Sequence, residues 1–364
     1  MYKCSSGILL ICIHVDDFIV LASSQKLYDE FYEKLSNKKK GGFTCTNLGT
    51  LQWYLGCEIQ RCPKTGLITL NQTEYIIKMI KRFGMWDANT KPTPVGDLND
   101  LQPKEMLDAL HANDKTKSND KKDEPIDFPY RQATGALLWA LHSRPDIRWI
   151  VPVLCSFNNN PHKLHVAAVK NVFKYLRGTL NLGIGWDRTG KFEMEAFVDA
   201  DFGGKTTVNA FSYSGYFLMV NGGPLDSFAK RQRTVAQSSC ESEYYALQEV
   251  TKTIIFAREL FTQLSKYIPQ IELKGPTRIW EDNESVIAIV KSVFFSSRSR
   301  HFRTKKGFVQ DEQQKGTINV QGIASSENLA DLNTKGLVRQ KFEYLRDKVM
   351  RVTKPSVLSN NGVA

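Results

Sequence analysis

The sequence predicts a mixed α/β (α+β) protein whose C-terminal part is a five-stranded mixed sheet covered by helices. Three observations carry this. From Lys191 onward, period-two and period-3.6 apolar segments follow in the order strand, strand, strand, helix, strand, helix, strand, helix. The first three of these strands are joined by turns bearing Gly203-Gly204 and Gly222-Gly223, as antiparallel neighbours are. Finally, 41% apolar and 24% charged residues over 364 positions suit a chain of two or three domains with a sizeable core, and exclude wholesale disorder.

The elements read as follows along the chain. In GILLICIHVDDFIVLAS two apolar arms flank His14-Val15-Asp16-Asp17, a hairpin with two adjacent carboxylates at its tip. A helix from Gln25 to Leu35 leads into Lys38, Lys39 and Lys40 and stops at Gly41-Gly42. Leu51 to Leu70 reads as a second hairpin, turning at Pro63-Lys64-Thr65-Gly66. The helix from Thr73 to Phe83 stacks Tyr75, Met79 and Ile80 on one side and Lys78, Lys81 and Arg82 on another. Residues 97–127 lose their aromatics and mix lysines with acids, as a flexible insertion does. Tyr130 to Trp149 and His162 to Arg177 read as helices; on the second, Lys163, Lys170, Lys174 and Arg177 form one stripe, opposite Leu164, Ala168, Val172 and Tyr175.

In the C-terminal part the strands are Glu193 to Asp199, Ser212 to Met219 and Pro224 to Lys230. Ser238-Ser239 caps a helix reaching Leu264. Thr277 to Glu281 is the next strand, Asn283 to Lys291 a helix, Thr317 to Ile323 the last strand, and Asn328 to Thr334 opens the last helix. The expected organisation is 1–96, an insertion at 97–127, a helical region at 128–190, the mixed-sheet domain at 191–350 and a disordered tail at 351–364.

Forty-nine Lys and Arg against 38 Asp and Glu leave a charge of +11, which favours a polyanionic partner. Cys4, Cys12, Cys45, Cys57, Cys62, Cys155 and Cys240 form no repeated pair and lie apart from His at ligand spacing, which argues against zinc and against a secreted disulfide scaffold and for a reduced, intracellular protein. The apolar run from Ile8 to Leu21 is broken by His14, Asp16 and Asp17, so it is neither a bilayer span nor a signal-peptide core. A chain that opens within an apolar strand reads as internal to a longer ancestral frame. Nothing in the sequence sets an oligomeric state.

Four acids of the C-terminal part occupy strand ends and helix starts: Asp199, Glu243, Asp282 and Asp331. Such positions converge on one sheet edge in α/β proteins, and four oxygen donors without Cys or His suit Mg²⁺ or Mn²⁺. Glu243 falls on the apolar stripe with Leu247, Val250 and Ile254, so its charge must be ligated, paired or protonated. Glu241 shares the opposite face with Tyr245, Gln248 and Lys252 and is expected in solvent. For Glu243, metal ligation competes with a core ion pair, and Asp201 could take the part given to Asp199. Arg298, Arg300, His301, Arg303, Lys305 and Lys306 form a basic patch, read as a nucleic-acid-facing loop in which His301 is a structural or phosphate contact.

These segments resemble copia-type retrotransposon Pol polyproteins. HVDDFIVLAS is similar to the reverse-transcriptase YVDD hairpin, and SSCESEYYAL, WEDNESVIAI and ENLADLNTKGL resemble the family's ribonuclease H segments. NLGTLQWYLGCEI, LNQTEYIIKMIKRFGM, YRQATGALLWALHSRPDI and HVAAVKNVFKYLRGT follow the family's order between them. The resemblance implies an incomplete polymerase palm and thumb followed by a ribonuclease H-like domain. It places polymerase metal ligands on Asp16 and Asp17, and two-ion ribonuclease H ligands on Asp199, Glu243, Asp282 and Asp331. The implied partner is an RNA–DNA hybrid, read through its backbone and 2′-hydroxyls.

Three departures from the family pattern qualify this. The family's remaining palm Asp precedes the hairpin, where this chain has thirteen residues, so polymerase activity is expected to be absent. His14 replaces the usual Tyr. HFRTKKGFVQDE is an eroded form of a family segment richer in His and acid. A hybrid-cleaving nuclease therefore competes with a basic nucleic-acid-binding relic that does not turn over, and with an unfolded translation product. Retention of all four carboxylates favours the first.

Overall fold

The computed structural model describes residues 2–4, 7–37, 41–95, 127–188, 191–203, 211–292 and 303–360. Strands β1 (Tyr2–Cys4), β2 (Gly7–His14) and β3 (Asp17–Ala22) form an antiparallel sheet in that order. His14 pairs with Asp17, leaving Val15 and Asp16 as the turn, and Val15 has φ 53°, a left-handed conformation that costs a β-branched residue. Helix α1 (Gln25–Ser36) starts at Ser24, whose side chain accepts from the Leu27 N–H. Strands β4 (Trp53–Tyr54), β5 (Cys57–Arg61) and β6 (Ile68–Asn71) meander antiparallel into helix α2 (Thr73–Arg82).

The single helix expected from Tyr130 to Trp149 is interrupted. Helix α3 (Tyr130–Ala140) and helix α4 (Ile150–Cys155) are separated by a 3₁₀ turn, Pro145–Ile147. Pro145 offers no N–H and holds Arg144 at φ −126°, ψ 65°, outside the helical region. The Arg144 guanidinium is wholly buried and bidentate on Asp146, at 3.0 and 2.7 Å. Helix α5 (Lys163–Gly178) buries Val169, Val172, Phe173 and Leu176, while Leu164 of the expected apolar stripe is exposed. Strand β7 (Leu182–Trp186) was hidden by its glycines. Gly183 is needed there, because a Cβ would stand 2.4 Å from the Leu70 carbonyl of neighbouring β6.

Strands β8 (Met194–Asp201), β9 (Tyr213–Val220) and β10 (Gly223–Arg231) precede the 27-residue helix α6 (Ser239–Ser265). Then come β11 (Thr277–Glu281), α7 (Glu284–Lys291), α8 (Arg303–Gln314), β12 (Ile318–Gly322), a 3₁₀ turn at Leu329–Asn333, α9 (Arg339–Val349), β13 (Arg351–Val352) and α10 (Ser356–Asn360). The sheet order is β10-β9-β8-β11-β12; β8, β9 and β10 pair antiparallel, whereas β11 pairs parallel with both β8 and β12. This is the five-stranded mixed sheet expected from the element order, and the chain is a mixed helix-and-sheet protein with three sheets. Tyr244, Leu247, Val250 and Ile254 of α6 pack on one face of it with Val198, Leu218, Ile279 and Val320. On the other face Phe197, Phe217 and Met219 join Leu332, Phe342 and the helices of the preceding region in one core.

Three further expectations are corrected. Residues 351–364 are not wholly a disordered tail: β13 pairs with β7 in the sheet β13-β7-β6-β5-β4, and the Thr353 N–H donates to the Asn181 carbonyl at 2.7 Å. Residues from Arg303 onward form helix α8 rather than a loop, while Arg298, Arg300 and His301 lie outside the described residues. The helix expected from Asn328 is only a 3₁₀ turn, because the Asn328 amide ties itself to the Val198 carbonyl at 2.9 Å while its Oδ1 accepts from the Ala330 N–H. Among the described residues no helix is long and apolar enough to cross a membrane.

Candidate metal centre

The end of β8 carries Asp199, which is 2% exposed. Its antiparallel partner across the sheet is Gly215 of β9. A Cβ there would meet Thr334 Cγ2 at 2.6 Å and Asn333 Cβ at 2.8 Å, so the missing side chain is what lets the 3₁₀ turn close on the strand. That closure brings the Thr334 hydroxyl to donate to Asp199 Oδ2.

Helix α6 delivers Glu243. Ser238 accepts from the Glu241 N–H at 3.1 Å, and Glu241 Oε2 accepts from the Gln237 N–H at 2.7 Å, a reciprocal cap that fixes the first turn. Glu241 also accepts from the Tyr245 hydroxyl and is buried. The expectation that it points to solvent is therefore wrong: the first turn of a helix folds back on its own N-terminal segment, so the face rule for the helix interior does not apply there. Glu243, two residues further on, is buried against the sheet as its apolar stripe predicts. Asp282 follows the last residue of β11, and Asn283 caps α7 by accepting from the N–H groups of Ser285 and Val286 at 3.0 and 3.3 Å.

Carboxylate oxygens of Asp199, Glu243 and Asp282 lie within 4.8 Å of one another, the spacing at which three acids can hold a single cation. Asp199 rather than Asp201 joins the group. Glu243 Oε2 is buried with no hydrogen-bond partner. Asp331, the fourth expected acid, is wholly buried and stands outside this triad, ion-paired with Lys335 at 2.5 Å and with Lys341. Lys335 also reaches Asp199, at 3.2 Å.

Burial raises the Asp199 carboxyl to about 6, with Asp331 and Asp282 adding to the shift and Lys335 and Thr334 opposing it. Burial raises Glu243 well above the ordinary carboxylate range, and the nearby Glu281, Asp199 and Asp282 push it further. Glu281 itself was missed in the sequence. It is wholly buried at the end of β11, its Oε1 accepts from the Asn283 N–H at 3.0 Å and its Oε2 has no partner. Burial raises it well above its usual value too. The signal was present: in TRIWE, Glu281 alternates onto the inward face with Thr277 and Ile279.

Residues 1–97 match the reverse transcriptase (RNA-dependent DNA polymerase) family. Over 343 residues the chain is 28% identical to a retrovirus-related Pol polyprotein from transposon RE1 of Arabidopsis thaliana, covering 94% of this chain and 22% of that protein. It is 27% identical over 345 residues to the corresponding polyprotein from transposon TNT 1-94 of Nicotiana tabacum, covering 94% and 24%. It is also 30% identical over 239 residues to an uncharacterised mitochondrial protein of Arabidopsis thaliana, covering 66% and 90%. The chain belongs to the Pol polyprotein family of copia-type retrotransposons. It spans less than a quarter of the length of the Pol polyproteins it matches.

The reverse-transcriptase match covers the hairpin bearing Asp16 and Asp17, both exposed, and no third acid groups with them among the described residues. It also covers α2, which packs beside α5. The two basic stripes thereby meet over Trp86, which Lys81 of α2 and Arg177 of α5 overlie at 4.9 and 5.8 Å, and Lys170 lies over Phe128 at 5.4 Å. Arg82 donates to Gln132 at 3.0 Å, Lys78 pairs with Glu74 at 2.6 Å, and Lys174 is half-buried on α5.

Proposed function

We propose that residues 191–350 form a metal-dependent nuclease that hydrolyses the RNA strand of RNA–DNA hybrids, attached to a reverse-transcriptase-derived region at 1–96 and 128–190. The observation that carries this reading is the triad of Asp199, Glu243 and Asp282, whose oxygens lie within 4.8 Å and include one buried oxygen without a partner. A buried carboxylate left in that state is costly unless a cation or proton meets it. All-oxygen donors select a hard ion, Mg²⁺ or Mn²⁺, over zinc. Bound there, such an ion supplies a polarised water and stabilises the charge that builds on a scissile phosphate. Thr334 orients Asp199, the Ser238–Glu241 cap sets the position of Glu243, and Asn283 fixes the turn that presents Asp282. The purified chain is expected to cleave a labelled hybrid in Mg²⁺ or Mn²⁺ and to stop in EDTA; cleavage that persists in EDTA, or none with either ion, defeats the reading.

The basic cluster around Trp86 and Phe128 supports a polyanionic substrate, since cations stacked on rings offer both charge and a flat face to a sugar–phosphate backbone. Replacing Lys81, Lys170, Lys174 and Arg177 by Gln should weaken hybrid binding and flatten its salt dependence by about 0.7–0.9 in log–log slope for each phosphate left unneutralised. Binding isotherms between low and moderate salt read this directly. An unchanged slope would place the hybrid elsewhere.

A further inference from the structure

Beside the acidic triad sits a second charged group made of Asp331, Lys335 and Lys341. Asp331 is wholly buried, yet neither of its oxygens is open to a metal. Oδ1 has no aligned N–H or O–H donor and is met instead by the Lys335 ammonium 2.5 Å away, while Lys341 is ion-paired with Oδ2. The same Lys335 Nζ lies 3.2 Å from Asp199 Oδ2. One ammonium therefore bridges a triad carboxylate and the fourth acid, as a shared divalent ion would.

We infer that Lys335 occupies the second cation position, so that the centre binds one divalent ion on Asp199, Glu243 and Asp282 and uses the ammonium between Asp199 and Asp331 in place of another. The inference deepens the metal-dependent reading of this site and rests on it. Two observations support it. The first is the asymmetry of the oxygens: on the triad side Glu243 Oε2 lacks a partner, whereas on the other side Asp331 already holds two cations. The second is position: the Lys335 ammonium bridges Asp199 and Asp331, which are only 2% and 0% exposed, so a cation between them offsets charge that water screens little. The lysine is also well seated, because it follows Thr334, whose hydroxyl is fixed on Asp199 and whose approach depends on Gly215.

The test counts ions rather than turnover. Mn²⁺ is titrated into the full chain without nucleic acid, and the free-ion six-line EPR signal reports how many ions are taken up. Wild type is expected to bind one Mn²⁺, and Lys335→Met to bind two with the spectrum of a spin-coupled pair, near-UV circular dichroism confirming the fold. Should the Met variant fail to fold, Lys335→Gln reads the same change. Two ions on wild type within tenfold in affinity, or a folded Lys335 variant that still binds one, overturns the inference and leaves the metal-dependent nuclease standing. Uptake of no Mn²⁺ by wild type instead removes the metal centre itself, and the inference with it.

Discussion

Asp282→Asn is expected to abolish hybrid cleavage while leaving hybrid binding in EDTA within a few-fold of wild type. The substitution keeps the shape of the side chain and removes one negative charge from a triad whose oxygens lie within 4.8 Å. A metal acting as Lewis acid supplies several kcal/mol of transition-state stabilisation, and each 1.36 kcal/mol is tenfold in rate, so loss of the ion should cost roughly 10³-fold. The metal-free variant should be as stable as wild type or more so, because Asp282 contributes to the like-charge crowding that raises both Asp199 and Glu243. Glu259→Gln is the silent control: Glu259 is exposed on the same helix and only accepts from Gln263 at 2.7 Å. Glu241→Gln cannot serve that purpose, since Glu241 caps α6 and its change should cost about 1 kcal/mol. Full cleavage by Asp282→Asn, or a stability loss equal with and without metal, would make Asp282 a scaffold residue.

How far this site could be read from the sequence follows from which rule governs each residue. The stripe of Glu243, Leu247, Val250 and Ile254 is a property of the helix interior, where periodicity sets burial, and all four are buried. Glu241 escaped because capping, not periodicity, governs a first turn. Glu281 needed the period-two reading of a strand applied to a charged residue, which is usually set aside as exposed. Lys335 and Lys341 resist any such reading, because their pairing with Asp199 and Asp331 depends on where a 3₁₀ turn and α9 meet the end of β8, a long-range contact that local spacing does not encode. The same holds for β7: Gly183 lowers local strand propensity, and only the closeness of β6 explains it. The five-stranded mixed sheet was legible because its elements follow one another in a clean strand and helix pattern, whereas the spatial order of the strands was not read from it.

Without metal, the protein should lose stability as pH rises from 5 to 7.5. Burial lifts the Asp199 carboxyl from 3.8 to about 6, and lifts Glu243 and Glu281 in the same direction. For an acid whose folded pKa lies above its unfolded value, the native state holds a proton that the unfolded chain has already released. Stability therefore falls with pH through the interval between the two values and stays lost above it. For Asp199 the interval runs from about 4 to about 6, which corresponds to roughly 3 kcal/mol. Glu243 and Glu281 carry the loss to higher pH, past the range in which ordinary carboxylates titrate. Divalent metal should reverse the trend. Its ligands bind as carboxylates, so affinity strengthens with pH, and an ion at 100 times its dissociation constant adds about 2.7 kcal/mol. Urea unfolding at pH 5, 6 and 7.5, in EDTA and in Mn²⁺, separates the two limbs: a falling midpoint without metal and a flat or rising one with it. Glu281→Gln should remove part of the EDTA slope while leaving the Mn²⁺ midpoint at pH 7.5 close to wild type, because it takes away a buried charge without touching the triad. A metal-free midpoint that is constant or rises over this range would mean that the three acids are not crowded in the folded protein, and the centre would have to be built from other residues.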